Sequence, residues 1–343
     1  MPLAGRGPGR VGVAMMAGNI LLVTFEADRK SRQIIAEALQ DRAEPVYLTD
    51  LDAPARAGML GQATAILARN TGQELHPHEP ALLQNARLIQ FVTAGIDFIP
   101  LSRLPADVPV ASNGGAYAEP MAEHALAMTL AAAKRLLIEH AALSRGEFNQ
   151  FKPNRMLAGG VCGILGFGGI GVATAELMRA LGMRIHAINR RGASAAATDW
   201  IGTPDQLDIL LAAADVLVIC TPLTRKTQNW IGARELGLLS DHAILVNLAR
   251  GEIVDETALF RHLQSHPDFT ACIDAWWTEP IRHGTFSMRE PFLSLPNVIG
   301  SPHNSASVAG ATEAGLRRAI ANIRRTLAGE PPHYLVGPDE RLR

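Results

Sequence analysis

Residues 161 to 171, VCGILGFGGIG, decide how the rest of this chain is interpreted. The stretch begins as an apolar run, ends in the pattern G-x-G-x-x-G, and leads into GVATAELMRALG (171–182), which contains many strong helix formers. A strand, a glycine turn and a helix in this order place backbone N–H groups around a pyrophosphate at the N-terminus of the helix. We therefore predict a dinucleotide-binding loop, with a purely structural glycine turn as the alternative, formed by Gly166, Phe167, Gly168, Gly169, Ile170 and Gly171.

Short apolar segments alternate with amphipathic segments on both sides of this loop. The βαβα rhythm is typical of parallel sheets, and the second series of strands is nearly continuously apolar, as expected where helices cover both faces. The sequence therefore predicts an α/β protein with two Rossmann-like, doubly wound parallel sheets. The predicted strands cover residues 20–25, 45–48, 64–68 and 88–92 in the first series, and 161–166, 184–189, 215–221, 243–249, 269–275 and 297–302 in the second.

Two further segments are predicted to be helices. Residues 119–145 carry Pro120 in the first turn and are apolar on most sides, so this helix is expected to be buried at a domain hinge or a dimer contact. Residues 310–329 form an amphipathic pattern that ends at Gly329 and is followed by two prolines. This second segment is therefore predicted to be one helix that stops at the glycine.

The composition describes a globular protein with little net charge. The 343 residues are 48% hydrophobic, and 32 Lys and Arg side chains are balanced by 33 Asp and Glu, which gives a formal net charge of −1. A chain of this length forms about two domains. A field this weak argues against nucleic acid and anionic membranes as main partners, so we expect a small-molecule ligand.

The cysteines and the N-terminal segment bear on the location of the protein. Three cysteines lie inside apolar runs with no Cys-x-x-Cys spacing, which is typical of reduced core residues and favours a cytoplasmic location. Residues 1–18 carry two arginines and a short apolar patch broken by glycine; we expect a disordered extension, with a signal peptide as the alternative. The longest weakly charged stretch, residues 159–178, contains seven glycines, so no transmembrane segment is predicted.

The end of the strand at residues 184–189 bears on the choice of nucleotide. In many dinucleotide-binding folds an acidic residue about twenty positions after the glycine loop holds the ribose diol of NAD. Here the strand ends at Asn189 and is followed by Arg190 and Arg191, two guanidinium groups suited to a 2′-phosphate. We therefore predict that NADP(H) is preferred; the alternative is that the arginines are solvated surface residues and NAD(H) binds as well.

Five sequence blocks occur in an order that resembles one enzyme family. They are GILGFGGIG (163–171), CTPLTRKTQNWIG (220–232), VNLARGEIVDE (246–256), CIDAWWTEP (272–280) and SPHNS (301–305). Together they closely resemble the D-isomer-specific 2-hydroxyacid dehydrogenases, the superfamily that also contains formate dehydrogenase. The resemblance covers most of residues 88–306 and implies an NAD(P)-dependent oxidoreductase that acts on a CH–OH group.

The resemblance implies three catalytic residues: Arg250 as the clamp for the substrate carboxylate, His303 as the acid–base, and Glu279 as the partner of the histidine. These residue types suit the reduction of a 2-oxo acid. Arginine binds a planar carboxylate through two parallel hydrogen bonds, and histidine exchanges protons near neutral pH. A carboxylate beside the histidine favours the imidazolium, which donates its proton to the developing alkoxide. Taken singly, Arg250 also fits a salt bridge at a strand end, and His303 a helix cap.

The resemblance implies lesser roles for further residues. Ala94 and Gly95 would offer backbone N–H groups to the substrate carboxylate, next to Arg250 and His303. Asp274 would lie near the nicotinamide amide, with an ordinary acid at the start of a loop as the alternative. The remaining implied cofactor contacts are Thr221, Pro222 and Thr227 beside the adenosine half, and Leu248 and Ala249 near the nicotinamide.

The family arrangement also implies how the domains are organised. A dinucleotide-binding domain, residues 116–305, would be inserted into a discontinuous, flavodoxin-like substrate domain, residues 19–115 plus 306–343. Residues from both domains would meet at the substrate, so that closure excludes water before hydride transfer. A homodimer is expected from the resemblance and from the apolar helix.

The favoured function is reduction of a small 2-oxo acid, such as glyoxylate or hydroxypyruvate, to the D-2-hydroxy acid. Glu279 argues against formate oxidation, because formate dehydrogenases carry an amide at the matching position. Phosphoglycerate oxidation is less favoured, since the chain ends at Arg343 without an added regulatory domain. Two alternatives stay open: a nucleotide-sensing interaction protein on the same fold, as in the corepressors of this family, and a dehydrogenase of another small anion such as phosphite.

Two positions depart from the family pattern. Gly169 stands where a larger residue is common, and SPHNS (301–305) lacks the glycine often found after the histidine. Trp276 and Trp277 lie next to the catalytic acid in the sequence. We assign both to hydrophobic packing, with a role in setting substrate size as the alternative.

Overall fold

The computed structural model describes residues 18–337. Of the extension predicted at residues 1–18, only Gly18 belongs to the described part, and residues 338–343 of the predicted substrate domain also lie outside it. No helix within residues 18–337 combines the length and the apolar character needed to cross a membrane.

The first part of the chain builds a five-stranded parallel sheet. Its strands are β1 (Ile20–Val23), β2 (Glu44–Tyr47), β3 (Ala65–Ala68), β4 (Leu88–Phe91) and β5 (Val110–Ala111). The strand order is β2-β1-β3-β4-β5, which is the flavodoxin-like order. Buried side chains line both faces of this sheet, because Leu22 and Ile66 point into one apolar cluster and Val23 and Leu67 into another.

The second part builds a seven-stranded parallel sheet. Its strand order is the Rossmann order with one added strand, so the prediction of two doubly wound parallel sheets is confirmed. Two short strands, one at the edge of each sheet, were not predicted. The strands are β6 (Val161–Leu165), β7 (Arg184–Ile188), β8 (Trp200–Gly202), β9 (Val216–Ile219), β10 (Ile244–Asn247), β11 (Thr270–Ile273) and β12 (Val298–Gly300), arranged β12-β11-β10-β9-β6-β7-β8.

Helices cover the faces of both sheets. The predicted C-terminal helix forms, and it ends before Gly329, which has a left-handed φ of 80°. Its apolar side, including Leu316 and Ile320, is buried with Ile35 of the first helix against the first sheet. The helices are α1 (Arg29–Leu39), α2 (Ala53–Gln62), α3 (Thr71–Glu74), α4 (Ala118–Ala133), α5 (Leu136–Ser144), α6 (Gly169–Ala180), α7 (Leu207–Ala213), α8 (Ala233–Leu236), α9 (Glu256–Ser265), α10 (Pro280–His283) and α11 (Ala311–Leu327).

The prediction of one buried helix over residues 119–145 was wrong. The structure divides this segment into α4 and α5, because Arg135 adopts a left-handed φ of 54° between them. α4 is buried against α6 and the second sheet, as its cluster partners Ala125 and Met128 show. α5 buries only Ala142 and leaves most of its apolar surface exposed.

Candidate active site

The candidate site lies where the carboxyl ends of the two parallel sheets face each other. Loops at this edge are the usual ligand-binding segments of open α/β sheets. The loop after β4 (residues 93–97) meets the loop after β10 (residues 248–251), and Nη2 of Arg250 lies 2.9 Å from Oδ1 of Asp97. Both sheets therefore contribute side chains to one cleft.

The predicted phosphate loop has the conformation that the glycine pattern requires. Gly166 has a φ of 102°, and a Cβ at this position would lie 2.5 Å from the backbone nitrogen of Thr221. A Cβ at Gly171 would lie 2.5 Å from the carbonyl oxygen of Gly166. α6 begins within the loop, at Gly169, so its first N–H groups face the position where a pyrophosphate would bind. The loop therefore fits a dinucleotide.

The turn after β7 is ordered by an amide and not by a carboxylate. Nδ2 of Asn189 donates to the carbonyl oxygen of Ala193, and its Oδ1 accepts the N–H of Arg191, both at 2.9 Å. Arg190 and Arg191 are exposed. The predicted position of the adenosine ribose is thus bordered by two guanidinium groups and by no acid within residues 189–191.

The loop after β9 closes on itself beside the phosphate loop. Oγ1 of Thr227 donates to the carbonyl oxygen of Pro222 at 2.7 Å and accepts the N–H of Thr224 at 2.8 Å. These bonds determine the shape of the loop that Thr221 begins. A contact of Thr221, Pro222 or Thr227 with adenosine stays a prediction.

The structure brings the predicted acid–base pair together. Nδ1 of His303 donates to Oε1 and Oε2 of Glu279 at 2.8 and 2.9 Å. Glu279 is 7% exposed, and its Oε1 also accepts the backbone N–H of Trp276 at 2.7 Å. Because Nδ1 is engaged in this way, Nε2 is the ring nitrogen that can exchange a proton with a ligand.

The surroundings of Glu279 keep this carboxyl ionised. Burial raises its pKa, but the hydrogen bond and the charge of His303 act in the opposite direction. The N–H of Trp276 and the charge of Arg250 add to this effect, so the pKa of Glu279 lies below its ordinary value. A carboxylate in contact with the imidazole fixes the orientation of the ring.

The third predicted residue, Arg250, reaches across the cleft. Its Nε donates to Oδ1 of Asp97 at 3.0 Å, and its Nη1 donates to the carbonyl oxygen of Ala249 at 2.7 Å. Nη2 lies against the backbone of Gly95, since a Cβ there would be 1.8 Å from this atom. Gly95, one of the predicted substrate residues, is therefore next to Arg250, and Ala94 precedes it in the same loop. Leu248 is buried in the core of the second sheet.

Asp274 holds the loop that carries the histidine. It is fully buried and accepts hydrogen bonds from Oγ of Ser301 at 2.5 Å and from the N–H groups of Asn304 and Ser305 at 3.1 and 3.3 Å. His124 on α4 completes this cluster, with Nε2 3.0 Å from Oγ of Ser301. A contact of Asp274 with the nicotinamide stays a prediction.

The two tryptophans are part of the packing. Trp276 is 4% exposed, and its Nε1 donates to the carbonyl oxygen of Ser301 at 2.8 Å. Trp277 stacks on Phe292, with ring centroids 5.1 Å apart, and its Nε1 donates to the carbonyl oxygen of Val254 at 2.8 Å. These contacts agree with the assignment of both tryptophans to hydrophobic packing.

Sequence reasoning missed four charged or titratable residues near the cleft. Asp97 lies in the stretch TAGIDFI (93–99), in the loop that follows β4, and an acid in a loop behind a predicted strand was an available signal. Glu252 follows Arg250 by two positions, but nothing in the sequence indicates its partner. Arg282 and His124 lie in helices and carry no such signal, because their contacts come from other parts of the chain.

Two parallel sheets, a glycine loop at the edge of one of them, and a histidine–carboxylate pair beside a cleft arginine form an arrangement that is typical of nicotinamide-dependent oxidoreductases. The family can be named as well. A family model described as "D-isomer specific 2-hydroxyacid dehydrogenase, NAD binding domain" matches residues 126–305. The chain therefore belongs to this family.

Relatives and solved structures agree with this placement. The chain is 32% identical over 231 residues to a D-3-phosphoglycerate dehydrogenase from Methanocaldococcus jannaschii, with 65% of this chain and 42% of the relative covered. It is 34% identical over 226 residues to a glyoxylate reductase from Thermococcus gammatolerans, with 64% and 66% covered. The matches thus span less than two thirds of either relative. A D-isomer specific 2-hydroxyacid dehydrogenase from Xanthobacter autotrophicus Py2, solved with NADPH and MES, superposes with a TM-score of 0.76 at 25% identity, covering 94% of this chain and 99% of the other.

Proposed function

We propose that the protein is an NAD(P)H-dependent reductase of a small 2-oxo acid of the glyoxylate or hydroxypyruvate class, and that it yields the D-2-hydroxy acid. The observation that carries this proposal is the convergence of Arg250 and the His303–Glu279 pair beside a dinucleotide loop. The glyoxylate reductase among the relatives supports the substrate class. The phosphoglycerate dehydrogenase is the reason to test a phosphorylated substrate as well.

The residues divide the chemistry among them. Arg250 binds the carboxylate of the 2-oxo acid, and the backbone N–H groups of Ala94 and Gly95 add to its binding. A bound nicotinamide supplies the hydride that C2 of the substrate accepts. His303 gives its Nε2 proton to the C2 oxygen, and Glu279 keeps the imidazole oriented for this transfer. In the oxidative direction the neutral imidazole of His303 takes the hydroxyl proton.

NADP(H) is the proposed preferred cofactor. Arg190 and Arg191 are exposed at the end of β7, where an acid would disfavour a 2′-phosphate and where this chain has Asn189. The Xanthobacter structure was solved with NADPH, which supports the assignment. The other proposed cofactor contacts are the phosphate loop, residues 166–171, together with Thr221, Pro222, Thr227, Leu248, Ala249 and Asp274.

We propose the domain division expected from the family. α4 packs on α6 and the second sheet, whereas α11 packs on α1 and the first sheet. These contacts support a dinucleotide-binding domain at residues 116–305, inserted between residues 19–115 and 306–343. The three cysteines are free thiols, which supports the proposed cytoplasmic location.

A homodimer is part of the proposal, and α5 with the segment behind it is the proposed contact. Large apolar side chains are more than half exposed there, which is typical of a protein interface. Size-exclusion chromatography with light scattering, on the wild type and on a Phe151→Asp variant, tests this assignment. The wild type should elute with the mass of a dimer and the variant with the mass of a monomer. The exposed side chains are Leu136, Leu137, Leu143, Phe148, Phe151 and Met156.

The function is tested by the loss of absorbance at 340 nm with NADPH and, separately, with NADH. Glyoxylate, hydroxypyruvate, pyruvate, a bulkier 2-oxo acid and phosphohydroxypyruvate form the substrate panel. Turnover of a small acid with NADPH preferred is the expected result. Tight NADPH binding without turnover of any acid would contradict the proposal and favour a nucleotide-sensing protein or a dehydrogenase of another anion such as phosphite.

A further inference from the structure

Four charged side chains form a bridge across the cleft, which we call the cleft bridge: Asp97, Arg250, Glu252 and Arg282. Asp97 follows β4 of the first sheet, and the other three lie in segments that follow β10 and β11 of the second. All four are largely buried, with exposed side-chain fractions of 5% for Asp97, 13% for Arg282, 16% for Arg250 and 21% for Glu252. Charges withdrawn from water to this extent interact strongly with each other.

The contacts of Arg250 use only part of the hydrogen-bonding capacity of its guanidinium group. Nε donates to Oδ1 of Asp97 at 3.0 Å, and Nη2 lies 2.9 Å from the same oxygen. The carboxylate of Asp97 therefore contacts the guanidinium group through Nε and Nη2. Nη1 donates to the carbonyl oxygen of Ala249 at 2.7 Å. Of the five N–H groups, one on Nη1 and both on Nη2 make no hydrogen bond within residues 18–337. One N–H from each of these two nitrogens, which we call the open N–H pair, can bind a carboxylate with two hydrogen bonds.

Asp97 itself is held by a second arginine. Its Oδ2 is buried and has no hydrogen-bond partner among the described residues. Nη2 of Arg282 lies 3.5 Å from this oxygen and forms an ion pair with it. Arg282 is fixed in turn by Glu252, with contacts of 2.7 and 2.9 Å to the two carboxylate oxygens. The order of contacts is therefore Glu252, Arg282, Asp97 and Arg250.

Arg282 also sets the charge of the cleft. Without it, the cleft bridge would place two carboxylates, Asp97 and Glu252, and the single cation Arg250 beside an anionic substrate. Burial lowers the pKa of Arg282, but Glu252, Asp97 and Glu279 act more strongly and raise it above its ordinary value, so the side chain stays charged.

We propose that Arg282 is a positioning residue for the substrate. It holds Asp97, and Asp97 holds Nε and Nη2 of Arg250. In this orientation the open N–H pair of Arg250 faces the carboxylate of the 2-oxo acid. The inference rests on the proposed function, because it assigns the open pair to that substrate. Arg282 acts through Arg250 and does not itself contact the substrate.

The test compares Arg282→Met with the wild type in steady-state kinetics with glyoxylate and NADPH. Methionine keeps most of the aliphatic stem and removes the charge. A misplaced Arg250 weakens binding of the substrate carboxylate, so KM should rise roughly tenfold while kcat changes by less than about threefold. The dissociation constant of NADPH should not change. Equilibrium binding of oxamate, an unreactive analogue of a 2-oxo acid, to the enzyme–NADPH complex should weaken by the same factor as KM rises.

Two further variants separate positioning from general damage. Arg234→Met removes an exposed arginine that also pairs with two carboxylates, Asp208 and Glu235, and should leave KM unchanged. Arg282→Lys keeps the charge but loses the two-point contact with Glu252. It should give a KM between those of the wild type and Arg282→Met, and it serves as the test variant if the methionine variant fails to fold.

A double variant decides whether Arg282 acts through Arg250. In an Arg250→Ala background, Arg282→Met should cause no further loss of oxamate binding. A further loss of tenfold in that background would show a direct contact of Arg282 with the substrate and would overturn the inference. An unchanged KM and oxamate affinity in Arg282→Met, with an active wild type, would overturn it as well. A wild type that neither turns over glyoxylate nor binds oxamate would instead refute the proposed function.

Discussion

Gly169, the first residue of α6, faces the backbone of Gly115 in the segment that connects the two sheets. A Cβ at Gly169 would lie 2.6 Å from Cα of Gly115, closer than packed atoms approach each other. The family often has a larger residue at this position, and the crossing of the connecting segment explains the glycine in this chain. The phosphate loop and the connection between the sheets are therefore in direct contact.

Gly169→Ala is expected to destabilise the protein. The added methyl group must push against backbone, which cannot move away as the end of a side chain can, so we expect a loss of about 1–3 kcal/mol in the free energy of unfolding. Urea unfolding of the protein without ligand measures it. Gly168→Ala is the matched control, because a Cβ there meets nothing within 4 Å and the residue has a φ of −102°. Equal stability of Gly169→Ala and the wild type would contradict the prediction.

Glu279→Gln is expected to lower kcat for 2-oxo acid reduction by about 10²-fold. The amide still accepts the N–H of Trp276, so the protein should fold, but it can no longer accept the Nδ1 hydrogen of His303 with two charged oxygens. Stopped-flow and steady-state rates with NADPH, together with the melting temperature, test this. Glu313→Gln on the surface of α11 is the control and should keep the wild-type rate. A Glu279→Gln enzyme with a wild-type kcat would remove the carboxylate from the proton transfer.

Replacing Arg190 and Arg191 together by alanine is expected to weaken NADPH binding roughly 10- to 100-fold and to leave NADH binding unchanged. Only NADPH carries the 2′-phosphate that these guanidinium groups would bind. Fluorescence titration with each nucleotide measures the two dissociation constants. Arg184→Ala, at the opposite end of β7, is the control for the loss of a positive charge. Equal weakening of both nucleotides would refute the assignment of the arginines to the 2′-phosphate.

His262 on α9 is expected to make the protein sensitive to mild acid. Burial, aided by the charge of the stacked His266 and opposed by Asp241, lowers the pKa of His262 from 6.5 to about 4. Between these values the unfolded chain binds a proton at this site and the folded protein does not, so stability is lost as the pH falls from 6.5 towards 4.

His262→Gln should reduce this loss of stability in acid. Between pH 7 and pH 4.5 the melting temperature of the variant should fall by roughly 2–4 °C less than that of the wild type. The melting temperature is measured for both proteins across this pH range. The change with pH within each protein is compared, because the substitution also alters packing by the same amount at every pH. His242→Gln, on an exposed histidine, is the control. An equal fall in melting temperature between pH 7 and pH 4.5 for His262→Gln and the wild type would contradict the prediction.

Local patterns were sufficient to predict most of the fold. The strands of both sheets are short apolar runs between turn residues, and the glycine loop needs its glycines for reasons that lie within ten residues of sequence. The break between α4 and α5 has no such signal. It depends on Arg155, whose backbone N–H bonds the carbonyl oxygen of Ala133 at 2.9 Å while Nζ of Lys134 bonds the carbonyl oxygen of Arg155 at 2.8 Å. Contacts with a residue more than twenty positions away thus lie at the helix end, where the local sequence would continue the helix.

The sequence by itself determined the α/β class, the dinucleotide loop, and the residues that follow the strands, among them Arg250, Glu279 and His303. Only the tertiary structure decided that Asp97, 153 residues before Arg250, holds that arginine, and that Arg282 holds Asp97. The reason is physical. Apolar periodicity and glycine spacing act along the chain and can be read from neighbouring residues, whereas the pairing of charges in a cleft depends on how two separately formed sheets are packed against each other.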